Sequence, residues 1–314
     1  GMFIHWGLYS IPAGVWKGIR APRYSEWIMS SLLIPKRTYA KLAREFNPVE
    51  FDPREWARIA KNAGMRYVII TAKHHDGFCM FHSKLTHYNV VDATPFGRDV
   101  IAEVADACRG EGLRFGIYYS QLDWRHSLLP GFFGWIPDFQ KYFEYMKGQL
   151  TELLTGYGRI DTLFFDGDWM LQWNAAHGAE TEALCRSLQP DIIINNRVGK
   201  RPPILVDLPW LQKFTMNTSG GDYETPEQYV LDNPPARDWE TCMTMNDSWG
   251  YKSFDHNWKS SGELIKKLVH VAERGGNFLL NVGPDSRGKI PEPSVRILSE
   301  IGDWLKTHGD SVYG

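Results

Sequence analysis

Eight short, almost continuously apolar runs divide this chain: 2–6 (MFIHW), 66–72 (RYVIITA), 113–119 (LRFGIYY), 161–166 (DTLFFD), 191–195 (DIIIN), 204–208 (ILVDL), 240–245 (ETCMTM) and 277–282 (NFLLNV). Apolar runs without polar alternation are strands covered on both faces, as in a parallel sheet lying between other layers. Helical patterns over 98–109, 137–155, 177–188, 260–274 and 293–307 separate most of them. A further helix over 52–64 has full punctuation: Asp52 as N-cap, Pro53 in the first turn and Gly64 as the stop. Repeated strand–helix units predict a (β/α)8 barrel of the α/β class, one domain over 1–314, irregular around 196–238 where Gly and Pro are dense. A doubly wound open sheet is the alternative, but no GxGxxG follows an early strand.

A barrel gathers the C-terminal ends of its strands on one face, where catalytic groups collect. Those ends carry His5, then His74, His75 and Asp76, then Tyr118 to Ser120, then Asp166, Gly167 and Asp168, then Asn195, Asn196 and Arg197, then Asn246, Trp249 and Asn281. A single pocket lined from many strands accounts for such a ring better than capping residues do.

The formal charge of −2 and the absence of long charged runs give no footing for nucleic acid or an anionic membrane. No apolar stretch reaches the roughly 18 residues of a membrane span. Four scattered cysteines without a CxxC pair read as reduced, buried thiols. The 13 tryptophans, several in polar company, suit a sugar, whose C–H faces stack while its hydroxyls take hydrogen bonds. The chain opens on GMFIHWG, already strand-like, so it is read as secreted or periplasmic if a leader has been removed and as cytoplasmic otherwise.

Three chemistries could use the ring. His5, His74, His75 and Asp166 could hold a metal, but adjacent histidines on a continuing strand face opposite ways, and neither HxH nor HExxH occurs. A nucleotide enzyme needs a phosphate cradle that the sequence lacks, so no cofactor is expected. A glycosidase needs two carboxyl groups beside one bond, with aromatic and hydroxyl-binding neighbours. Asp166, fixed at a strand end, is the best candidate nucleophile, with Asp168 as the fallback. The partner acid must come from elsewhere, and the loop SGGDYETPEQY, 219–229, is the natural source. The residues alone do not rank Glu224, Glu227 and Glu240.

The segments GMFIHWGLYSIPAG, EWIMSS, KHHDGFCMFHSKLTHYNVVDATPFGRDVIAEVADACR, FGIYYSQLDW, LFFDGDW, WETCMTMNDSWGY and GGNFLLNVGPDSRGKIPE resemble, in order, the catalytic domain of the α-L-fucosidases of glycoside hydrolase family 29. The resemblance covers nearly the whole chain. It implies a retaining hydrolase of fucosylated oligosaccharides or glycoconjugates, working through a covalent fucosyl-enzyme intermediate. It implies Asp166 as nucleophile and Glu227 as acid/base, with Glu224 as the alternative and Glu240 structural. His5, Glu26, His74, His75 and Arg197 would bind the sugar hydroxyls, with Tyr24 and Trp27 nearby in the substrate site. Phe164, where some members have Trp, and Trp249 would form the wall for the C5 methyl. The competing reading is a barrel that has lost catalysis and only holds fucose. The β-sandwich that often follows the family's barrel has no counterpart before the chain stops at HGDSVYG.

Overall fold

The computed structural model describes residues 1–131, 134–201, 220–233 and 235–313. Seven strands form one sheet: β1 (Met2–Ile4), β4 (Tyr67–Lys73), β5 (Arg114–Ser120), β6 (Thr162–Asp166), β7 (Ile193–Ile194), β8 (Glu240–Thr244) and β9 (Asn277–Val282). Their order is β7-β6-β5-β4-β1-β9-β8, and every pair is parallel. Two short strands, β2 (Val15–Trp16) and β3 (Ile19–Arg20), make a separate antiparallel ribbon.

The expected strand at 204–208 lies outside the described residues. Among the described residues, 223–227 bridge to both edges, β7 and β8. Tyr223 bridges to Asn195 beyond β7, while Glu224 and Glu227 bridge to Trp239 and Cys242 on the β8 side, all in parallel sense. This irregular stave lets the curled sheet close on itself. Gly221 makes its approach possible: its φ is 63°, and a Cβ there would lie 2.3 Å from the carbonyl oxygen of Asn195.

Helices over Pro53–Asn62, Val100–Gly110, Phe139–Gly156, Ala175–Leu188, Ser261–Glu273 and Glu292–His308 surround the sheet, close to the expected ranges. Asp52, Asp99, Asp138, Asn174 and Ser260 cap five of them, each accepting first-turn N–H groups that would otherwise lack partners. Inside the barrel a small aromatic cluster, Phe3, Tyr118, Phe164 and Trp249 with Ile69, Cys242 and Leu279, fills the lumen beneath the site. All four cysteines are free and buried, as the sequence suggests.

Behind the site, Lys73 at the end of β4 is fully buried and paired with the equally buried Asp123 at 3.0 Å. Its ammonium also donates to the Tyr142 hydroxyl and sits over the Tyr119 ring. A buried charge needs this kind of enclosure. It pins the β4 and β5 ends, and hence the loops that carry the site, to one another.

Candidate active site

A cavity of about 220 Å³ opens at the C-terminal ends of the strands. His5, Tyr24, Glu26, Trp27, His74, His75, Phe164, Asp166, Arg197, Glu227 and Trp249 all line it, drawn from segments far apart in sequence. Tyr118, named among the strand ends, also lines it, as do Trp169, Arg23 and Gln228, which were given no role from sequence. Trp169 closes the segment LFFDGDW and Gln228 lies in the loop 219–229, which were the available signals.

Asp166 is the last residue of β6 and is 8% exposed. Its Oδ1 accepts from Arg197 Nη1 at 2.8 Å, and its Oδ2 accepts from the Tyr118 hydroxyl at 2.9 Å. His75 Nε2 stands 3.7 Å from Oδ2, and Arg201 Nη2 3.9 Å from Oδ1. Burial by itself would raise the pKa of this carboxyl, but the positive charge of Arg197, helped by Arg201, holds it below the ordinary carboxylate value. Asp166 is therefore an ionised group in a nearly closed pocket. Gly167, the next residue, has a structural task. With φ at 91°, a Cβ there would sit 2.6 Å from the backbone nitrogen of Leu122, so the glycine admits the loop after β5.

Arg197 also joins the two candidate carboxylates. Its Nη2 donates to Glu227 Oε2 at 2.8 Å and its Nε to Thr225 Oγ1 at 3.0 Å, so one buried guanidinium spans Asp166 and the closing stave. The other carboxylates weighed from sequence are engaged away from the cavity. Asp168 is fully buried in a two-pronged pair with Arg201, both contacts at 2.7 Å. Glu224, also fully buried, accepts from Asn196 at 2.6 Å and Arg237 at 3.1 Å. Glu240 begins β8 at the opposite end of the barrel, where it accepts from the Tyr67 hydroxyl in a larger cavity of about 620 Å³ lined by strand N-termini.

Strand geometry predicts that His74 and His75 point apart, but both rings face the cavity, with centroids 4.3 Å apart. The reason is local: β4 ends at Lys73, and a turn closed by the Gly77 N–H on the His74 carbonyl redirects the chain. His75 Nδ1 pairs with Ser120 Oγ at 2.6 Å and His5 Nδ1 with Asn281 Oδ1 at 2.7 Å. Burial lowers His5 to about 3 and His75 to about 4, and puts His74 well below its usual value, so all three are neutral near pH 7. Among the described residues, no three His, Cys, Asp or Glu side chains are grouped to hold a metal ion.

Two lining atoms, His74 Nδ1 and Glu26 Oε1, are buried without a hydrogen-bond partner. Buried polar atoms are rarely left so, and in a concave pocket they mark where ligand atoms bind. Burial raises Glu26 from 4.5 to about 7 despite the Gly250 N–H on its other oxygen at 2.9 Å. A carboxyl whose folded pKa is raised releases its proton on unfolding between those two values, so its contribution to stability falls as pH rises through this window. The stability of Glu26→Gln relative to wild type is expected to rise by about 3 kcal/mol between pH 4.5 and pH 7, read by chemical denaturation at both.

Two carboxylates, neutral imidazoles and indoles around one cavity at the strand ends of a parallel barrel meet the requirements of a glycoside hydrolase. The chain belongs to the α-L-fucosidase family, whose model, described as "Alpha-L-fucosidase", matches residues 1–310. It is 31% identical over 342 residues to an α-L-fucosidase of Dictyostelium discoideum, covering 100% of this chain and 69% of the relative. It is 30% identical over 335 residues to the tissue α-L-fucosidase of Mus musculus, again covering 100% and 69%. Among solved structures, the α-L-fucosidase from Vibrio sp. strain EJY3 superposes with a TM-score of 0.88 at 40% identity, over 99% of this chain and 54% of that one. The α-L-fucosidase AlfC from Lactobacillus casei, in complex with α-L-fucose product, gives 0.86 at 35% identity over 98% and 96%.

Proposed function

We propose that the chain is a retaining α-L-fucosidase that removes terminal α-L-fucosyl groups from glycans through a covalent intermediate on Asp166. The observation that carries this reading is the pairing, in one cavity, of a strand-end carboxylate held ionised by Arg197 with a second carboxylate, Glu227, on a separate stave. In the first step Asp166 attacks the anomeric carbon while Glu227 gives its proton to the departing glycosidic oxygen. In the second, Glu227 takes a proton from water, whose oxygen displaces Asp166 and releases fucose.

The family likeness supports fucose as the glycon, and a fucose-bound relative shows that sugar in a barrel of this shape. The neutral histidines, Glu26 and Arg197 would meet its hydroxyls. Phe164 and Trp249, apolar and buried, would meet its methyl group.

The assignment of the acid/base is tested by exchanging carboxylates. Glu227→Gln is expected to lower kcat by about 10²–10⁴-fold on fucosides with sugar leaving groups, and far less on 4-nitrophenyl α-L-fucoside, whose leaving group needs little protonation. Glu224→Gln, which disturbs the Asn196 and Arg237 contacts, is expected to lower melting temperature without this leaving-group dependence. The reverse pattern would move the role to Glu224. Absence of fucose release by the wild type would overturn the activity itself.

A further inference from the structure

Three histidines line the cavity, and two of them are clamped at one ring nitrogen by a buried side chain from another strand end. His5 Nδ1 meets Asn281 Oδ1 at 2.7 Å, and His75 Nδ1 meets Ser120 Oγ at 2.6 Å. Which atom donates follows from the next contact outward. The Asn281 amide nitrogen donates to the Trp249 carbonyl at 2.7 Å, which turns the amide oxygen, an acceptor only, toward His5. The Ser120 hydroxyl has one proton and gives it to the Leu122 carbonyl at 2.6 Å, so only lone pairs of Oγ face His75. Each Nδ1 must therefore bring the proton to its contact.

Burial keeps both rings neutral near pH 7, so each has a single ring proton, and Nδ1 holds it. The other ring nitrogen, Nε2, is then a bare acceptor in the cavity that both rings line. Asp166 Oδ2 stands 3.7 Å from His75 Nε2, beyond hydrogen-bond reach, whereas moving the proton to Nε2 would set lone pairs against each other at 2.6 Å on the Ser120 side. His74 has no such clamp, since its Nδ1 is buried without a partner.

Resting on the fucosidase reading, we infer that Ser120 and Asn281 are positioning residues that determine specificity: they hold His75 and His5 with bare Nε2 atoms in the cavity, so that the fucose hydroxyls meeting them must bind as donors. The ionised Asp166 beside them likewise only accepts. A sugar whose substituent there accepts but cannot donate, such as fluorine or a methoxy group, is left facing a lone pair. A site built to take a hydroxyl proton rejects such an analogue because its buried acceptor then stays unpaired.

The test is the long-range proton–nitrogen NMR spectrum of the chain labelled with 15N-histidine, at pH 7, with His5 and His75 assigned by the signals lost in His5→Gln and His75→Gln. Both residues are expected to carry their proton on Nδ1. Ser120→Ala is expected to move the His75 proton to Nε2, wholly or in exchange, while the His5 signals stay and show that the fold is intact. Asn281→Leu should do the converse, and Asn281→Asp, which keeps an acceptor at Nδ1, should hold the His5 proton in place. In Ser120→Ala, kcat/KM for 4-nitrophenyl α-L-fucoside is expected to fall by about tenfold or more, the cost of an unpaired buried polar group. Wild-type His5 or His75 protonated on Nε2 would overturn the inference. So would a proton that stays on Nδ1 in Ser120→Ala or Asn281→Leu, because a packing role alone lowers stability and leaves the tautomer unmoved. An unchanged kcat/KM after the His75 proton has moved would overturn the specificity role. Saturating L-fucose is expected to shift both Nε2 signals. No response of any histidine to fucose, with the tautomers as expected, would instead overturn the fucosidase reading.

Discussion

Asp166→Ala is expected to lower kcat for 4-nitrophenyl α-L-fucoside by about 10⁴-fold or more, the scale on which loss of a covalent nucleophile is felt. The reason is geometric as well as chemical. Asp166 is held from both sides by Arg197 and Tyr118, 8% exposed, with Asp168 behind it fully committed to Arg201. Shortening the side chain leaves a space beside the anomeric carbon, so added azide should restore turnover and yield fucosyl azide of inverted configuration. Retained activity without azide would remove Asp166 from the role.

Arg197→Met should also be severely damaging. This one side chain contacts both Asp166 and Glu227 and is 3% exposed. Removing one partner of a buried ion pair leaves uncompensated charge, and charge separation at the reacting centre loses its counter-ion. A fall in kcat/KM of about 10²–10³-fold is expected, on the scale of losing one preorganised electrostatic contact. The sign of the pH effect follows from the same contact. Arg197 depresses Asp166, so without it the Asp166 pKa rises and the acid limb of the kcat/KM profile moves to higher pH. Arg197→Lys should repair little, because an ammonium cannot fork between two carboxylates. A uniform loss of activity with an unmoved acid limb would show that Arg197 serves packing rather than charge.

Much of this arrangement was legible in the sequence because it is written in local patterns. β4, β5, β6 and β9 are unbroken apolar runs, and helix starts such as Asp52–Pro53 are marked by capping chemistry. Asp166 could be found because a strand end fixes both its position and its direction. Three features were not legible, each depending on contacts far apart in the chain. The stave at 223–227 has no strand-like run, since it is held by bridges to Asn195, Trp239 and Cys242 rather than by its own propensity. The common orientation of His74 and His75 follows from a turn that overrides strand alternation. The pairing of Asp168 with Arg201 joins the DGDW segment to a glycine- and proline-rich region with no periodicity, so the sequence kept Asp168 as a fallback that the structure removes.

The measurement that tests the central claim most directly is the configuration of the first fucose released, followed by proton NMR before mutarotation. A double displacement through Asp166 predicts α-L-fucose as the initial product, with the β anomer growing in only afterwards. Initial β-L-fucose would mean a single displacement by water and would contradict the covalent intermediate.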